Sequence, residues 1–137
     1  MWLSFAPFLI AAAVFTAVFL AVYDRLPVRL ATHFSGDTVD GFTSRGTIAP
    51  IGLALLLGVG AVMAGTTYAD ARRFLIALSW GTAGLLGYLT TAMVLVNTGA
   101  ADSAAVRFSP WQLLIAAGVA AIVAAGGWLV TGRLKIG

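Results

Sequence analysis

Uncharged, mostly apolar stretches recur along this chain, separated by polar breaks of unequal length. Four of them are long: about Trp2 to Tyr23, Thr47 to Ala69, Phe74 to Thr98 and Pro110 to Thr131, none with a charged residue inside it. A helix needs about 20 apolar residues to cross a bilayer while satisfying its own backbone. The pattern predicts an all-α membrane protein, a four-transmembrane-helix bundle over residues 1–137 as a single integral membrane domain. A polar extramembrane loop is expected at 24–46, after helix 1. Ser109, Pro110 and Gln112 mark the start of the last helix, with Pro in its first position and a Ser-x-x-Gln capping box.

Composition sharpens this picture. The 137 residues are 61% hydrophobic and 9% charged, without a glutamate, and the mean hydropathy is +1.00. A water-soluble domain has roughly a quarter of its residues charged, so a soluble fold, disorder, a coiled coil and a nucleic-acid partner are all excluded. No Cys is present, which removes disulfides, thiolate zinc sites and a cysteine nucleophile. The first apolar run has no Lys or Arg before it and no clear cleavage site after it, so it is expected to remain as an anchor.

Four spans put both termini on one side of the membrane. Arg72, Arg73, Arg133 and Lys135 then share that side, and Arg25, Arg29, Arg45 and Arg107 the other, so the count of positive residues is tied. The second set is offset by Asp24, Asp37, Asp40 and Asp102, while the first sits tightly at helix ends. On that basis both termini are expected in the cytoplasm of a bacterial cell, with the chain in the cytoplasmic membrane.

Small residues recur within the spans: Ala61 with Gly65, Gly81 with Gly84 and Gly87, Ala117 with Ala121 and Ala125, and the Gly126-Gly127 pair. Small faces let helices approach closely in lipid, within one chain or between copies in a homo-oligomer. Trp2, Trp111, Trp128, Tyr23 and Tyr68 fall near span ends, where amphipathic rings favour the interface, whereas Trp80 and Tyr88 are candidates for the core.

Chemical potential is concentrated in 24–46, which holds the only His and three of the five Asp residues. A short interfacial helix after Pro27 would place Leu26, Leu30 and Phe34 on one face, and the alternation Leu26, Val28, Leu30 equally permits a strand. Gly36, Asp40-Gly41 and Gly46 are expected to mark turns. Leu26, Leu30, Phe34, Val39 and Phe42 would fold the segment as a lid on the bundle, with Arg29 or Arg45 pairing an aspartate. His33, Asp37 and Asp40, with Asp24 as a possible fourth, are ligand types that suit a divalent metal such as zinc. In the alternative, the aspartates cap turns and His33 makes an ordinary hydrogen bond at the membrane surface.

Tyr23-Asp24-Arg25-Leu26-Pro27, Thr32-His33-Phe34, Gly36, Asp40-Gly41-Phe42 and Ser44-Arg45, followed directly by a span, resemble the signature of one bacterial family. It is the membrane domain of unknown function at the N-terminal end of SdpI-like toxin-immunity proteins. The resemblance covers about the first 65 residues by motif and the remainder by hydropathy. Ala31 and Val39 stand where the family often has prolines. The resemblance implies a binding role for Leu26, Pro27, His33, Phe34, Asp40, Gly41, Phe42 and Arg45.

Three functions follow as expectations. The first is an immunity-like or accessory membrane protein, without catalytic residues, whose loop meets lipid, a hydrophobic peptide or a membrane protein partner. The second is a metal-binding enzyme at the membrane surface using His33 with Asp37 or Asp40, and Ser35 as an adjacent hydroxyl. The third is a transporter resembling the small four-span multidrug exporters. Proton-coupled export needs an ionisable group inside the membrane, and none is visible in the spans, whose polar candidates Ser79, Thr82, Thr90, Thr91 and Asn97 suit hydrogen bonds to a neighbouring helix.

Overall fold

A computed structural model describes residues 1–36, 38–67 and 71–134. Its four long helices are α1 (Trp2–Val22), α2 (Arg45–Gly65), α3 (Arg72–Val96) and α4 (Trp111–Arg133). All four are long and apolar enough to cross a membrane, so the predicted all-α class and its spans hold. The expected end of the second span at Ala69, and Tyr68 beside it, lie outside the described residues.

Between α1 and α2 the chain forms an antiparallel hairpin of β1 (Arg29–Ser35) and β2 (Thr38–Ser44). The strand reading of this segment is therefore the correct one, and the interfacial helix does not form. Gly36 does occupy the turn, at φ +65°, where a side chain would be strained. Asp40-Gly41 makes no turn. It lies inside β2, where the close approach of the strands requires Gly41: a Cβ there would sit 2.7 Å from the His33 Cβ. Gly46 is in the first turn of α2.

Packing among the helices follows the small residues. α3 is central, with its longest contact to α4 and substantial contacts to α1 and α2, while α2 packs mainly on α1. Gly81 meets Ala120 and Ala124, Gly84 meets Val123, and Gly87 meets Ala11, so backbones approach closely where a larger side chain would hold them apart. Gly52 receives the Phe15 ring and Gly60 the Phe8 ring. Two of the expected small faces point elsewhere. Ala117, Ala121 and Ala125 are exposed, because α4 turns Ala120, Ala124 and Gly127 towards α3, and Ala61 and Gly65 of α2 are exposed as well.

Trp80 shows how the interior satisfies its polar groups. Pro7 lacks the N–H that would bond the Leu3 carbonyl within α1, and the Trp80 indole donates to that carbonyl at 2.7 Å. The same ring lies on Gly127 of α4, so one side chain ties three helices together. Nearby, Ser79 Oγ donates to the Ser4 carbonyl at 2.5 Å, and Ser4 and Thr67 share a hydroxyl bond at 2.7 Å. Tyr88 is half-buried and donates to Gln112 Oε1. That bond takes Gln112 out of the expected capping box, although Ser109 Oγ accepts from the Trp111 N–H at 3.3 Å.

These contacts place the ends of the helices. The N-terminal end of α1, the C-terminal end of α2, the start of α3 and the end of α4 lie together, joined by Ser4 to Thr67 and by Arg73. Arg73 donates to the Trp128 carbonyl at 3.1 Å and lies 4.1 Å from the centre of the Trp128 ring. A cation at a helix C-terminus complements the helix dipole. The hairpin and the 98–110 connection occupy the opposite end, bound by Gly99 N–H to the Arg25 carbonyl at 2.7 Å.

Candidate functional site: the hairpin after the first span

The hairpin is built from alternation. Leu30, Thr32 and Phe34 of β1, with Val39 and Thr43 of β2, form its inner face, and Arg29, His33, Ser35, Thr38, Asp40, Phe42 and Ser44 are exposed. Leu30 is completely buried and joins Leu26, Phe19, Val22, Ile48 and Val94 in one apolar cluster at the helix ends. Farther out, Phe34 packs on Phe108 with ring centres 5.6 Å apart, and the Thr32 and Thr43 hydroxyls bond at 2.8 Å. The inner face thus forms much of the expected lid, with Leu26 and Leu30 buried and Phe34 and Val39 half-buried, but Phe42, also expected in the lid, is exposed because alternation along β2 turns it to the other face.

The free edge of β1 is covered rather than exposed. Asn97, fully buried at the end of α3, accepts from the Ala31 N–H at 2.8 Å and donates to the Ala31 carbonyl at 2.9 Å. Ser103 Oγ donates to the Arg29 carbonyl at 2.5 Å. A side-chain carboxamide therefore takes the place of a third strand, which satisfies an edge that water reaches poorly. Among the described residues no other strand pairs with β2.

On the outer face the register slips around His33, so that His33 opposes Gly41 and Asp40 has no direct partner. An irregularity of this kind re-aims a side chain, and here the Asp40 carboxylate lies between two groups of β1. Its Oδ1 meets His33 Nδ1 at 2.5 Å and its Oδ2 accepts from Ser35 Oγ. The bond from Ser35, then the one from His33, hold the Asp40 carboxyl below its ordinary pKa of 3.8. Both partners stand in water, with 73% of the His33 side chain exposed. With Nδ1 engaged by a carboxylate, Nε2 is the ring nitrogen left to face solvent.

Among the described residues, neither Arg29 nor Arg45 pairs an aspartate. The Arg29 guanidinium lies 5.5 Å from the centre of the Phe42 ring, and that of Arg45 lies 4.6 Å from the centre of the Tyr23 ring. Arg45 also donates to the Leu26 carbonyl at 3.2 Å. Arginine stacks on aromatic faces with little desolvation cost, which favours this arrangement at a membrane surface.

The motif residues therefore divide by task. Leu26 and Arg45 hold the hairpin to the helices and Phe34 holds it to the 98–110 connection, with half-buried Pro27 leading into it. Gly41 permits the close strand approach, and His33, Asp40 and Phe42 face outwards. Of the expected metal ligands, His33 and Asp40 are brought together, Asp37 lies outside the described residues, and among the described residues no three such groups converge. Ser35 bonds the carboxylate and not the imidazole, which is not the order a hydroxyl nucleophile with a histidine base requires. Sequence reasoning missed Asn97 and Ser103 as anchors of the hairpin. In sequence Asn97 is distinguished only as a polar residue within a span.

The chain matches no protein-family model, no curated protein and no solved structure.

Proposed function

We propose that the chain is a bacterial cytoplasmic-membrane protein of the SdpI-like kind, whose hairpin binds a hydrophobic peptide or another membrane protein in an immunity-like or accessory role. The observation that supports this most is the division of the hairpin into two faces. One face and one edge are tied down by Leu30, Phe34, Asn97 and Ser103, while the other presents Phe42, Arg29, His33 and Asp40 to the surroundings. Preorganised faces that combine an aromatic ring with arginine are frequent centres of binding energy. Phe42 is 38% exposed beside the Arg29 guanidinium, which suits an apolar partner with a polar or acidic flank. The unpaired edge of β2 also admits an extended peptide as an added strand.

In this reading the termini are cytoplasmic and the hairpin faces outwards, where an external peptide would meet it. The test is to express the chain in a strain sensitive to a membrane-active peptide toxin and challenge it. Survival above the empty vector, abolished by Phe42→Ser with the protein still present in the membrane, is the expected result. Survival no better than vector removes the immunity role. Failure of any membrane protein to crosslink specifically through the hairpin in cells would remove the accessory role as well.

A further inference from the structure

Two adjoining hollows run along α3 on the side away from α2, and Tyr88 lines both. The deeper one, about 350 Å³, is walled by Pro7, Ile10 and Val14 of α1 and by Trp80, Gly84 and Tyr88 of α3, almost without polar surface. It exists because α4 packs on α3 and makes no comparable contact with α1, leaving a slot between the two outer helices. Ile10 and Val14 are exposed along its rim, so the slot opens sideways to the hydrocarbon. Trp80 and Tyr88 are eight residues apart, about 12 Å along a helix and close to half the thickness of a bilayer core.

The second hollow, about 260 Å³, continues towards the hairpin end and is lined by Tyr88, Thr91, Ala92, Leu95, Val96 and Gln112. One of its polar groups is not satisfied as those elsewhere in the spans are. Ser79, Thr82, Thr90 and Asn97 each bond a backbone carbonyl. Thr91 Oγ1 is buried and is the one buried side-chain oxygen or nitrogen without a partner among the described residues. Leaving such a group unpaired is costly away from water. Gln112 accepts from Tyr88 through its oxygen, and its carboxamide N–H groups stand as donors beside the same hollow.

We propose that this slot is a binding site for one membrane glycerolipid. An acyl chain lies against Trp80 and Gly84, and an ester carbonyl accepts from the Gln112 carboxamide and from Thr91 Oγ, whose buried hydroxyl turns into the hollow when the lipid binds. The order of polarity carries the assignment. The slot is apolar at the level of the bilayer core and acquires hydrogen-bond donors only within the last turns of α3, at the depth where a glycerolipid changes from hydrocarbon to ester. Access from the side suits a ligand that arrives by diffusion within the leaflet. The site is separate from the outer face of the hairpin and does not rest on the immunity reading.

The test uses the full chain, purified from membranes in a mild detergent, washed, and extracted for lipid quantified per protein by mass spectrometry. Wild type is expected to retain glycerolipid at about one molecule per chain. Thr91→Val removes the hydroxyl with almost no change of shape, and Val14→Phe fills the slot from its rim. Each is expected to lower retained lipid by about fivefold, the equivalent of one lost hydrogen bond or a comparable steric cost. Ala121→Phe, on the outward face of α4, is expected to leave retention unchanged. Equal retention in Thr91→Val, Val14→Phe and wild type, loss of lipid from wild type on washing, or an equal fall in Ala121→Phe would show only unspecific surrounding lipid and overturn the proposal.

Discussion

Asn97 and Ala31 are 66 residues apart in sequence, yet one carboxamide satisfies both backbone groups of one strand residue. A third bond of that carboxamide, from Nδ2 to the Met93 carbonyl at 2.8 Å, fixes the side chain to its own helix. The hairpin is thereby held at a set angle to α3, and the outer face is presented by a rigid support. Asn97→Leu should leave the Ala31 N–H and carbonyl unpaired and lower stability by about 1–3 kcal/mol. Hydrogen exchange should show faster exchange at Ala31 and through β1, with the centre of α3 unchanged.

The pairing of Trp80 with the carbonyl that Pro7 leaves free yields a double-mutant test. Trp80→Phe should destabilise by about 1–3 kcal/mol, because the Leu3 carbonyl is then unpaired in hydrocarbon. Pro7→Ala restores an N–H within α1, so part of the loss should return in the double variant. Unfolding in mixed micelles measures the coupling energy.

Two glycines on the same hairpin-to-helix path should respond in opposite ways. Gly41→Ala places a methyl group 2.7 Å from the His33 Cβ and should destabilise by about 1–3 kcal/mol through overpacking. Gly46→Ala, in the first turn of α2 with nothing within 4 Å, should stabilise by about 0.5–1 kcal/mol. Paired denaturation curves check both.

Acid should loosen the outer face through Asp40. Its carboxyl is lowered in the folded chain, so the stabilisation from its bonds is present above the ordinary value of 3.8 and is lost as pH falls through the lower folded value. The His33–Asp40–Ser35 contact should therefore persist from neutral pH to about 4 and dissolve below it. Ser35→Ala and His33→Leu should each raise the Asp40 pKa, since each removes a bond that lowers it. Carboxyl NMR titration reads both shifts.

The spans were legible in the sequence because lipid imposes one severe demand, a backbone satisfied internally over about 20 residues. Helix faces were not. In α4, Ala116 and Ala117 look alike to any hydropathy argument, and only packing against Gly81 and Gly84 selects which alanines turn inwards. Within 24–46 the alternation Leu26, Val28, Leu30 spanned too few residues to separate strand from helix. Asp40-Gly41 had the composition of a turn, while the contact that explains Gly41 comes from His33 on the other strand. His33 and Asp40 could be named as partners from residue type, and their juxtaposition is what the hairpin adds. Asn97 gave no local sign of its role, because its partner lies across the whole of α2 and α3.

Cysteine labelling tests the membrane reading most directly, since the native chain has no cysteine to interfere. Ile122, mid-way along α4, is 75% exposed in the isolated chain, so nothing of the protein itself shields it. In native membranes, Thr38→Cys on the hairpin should react rapidly with a water-soluble maleimide, and Ile122→Cys should react only after solubilisation and unfolding. Equal and rapid labelling of both positions in intact membranes would contradict a bilayer-spanning α4 and the four-span account with it.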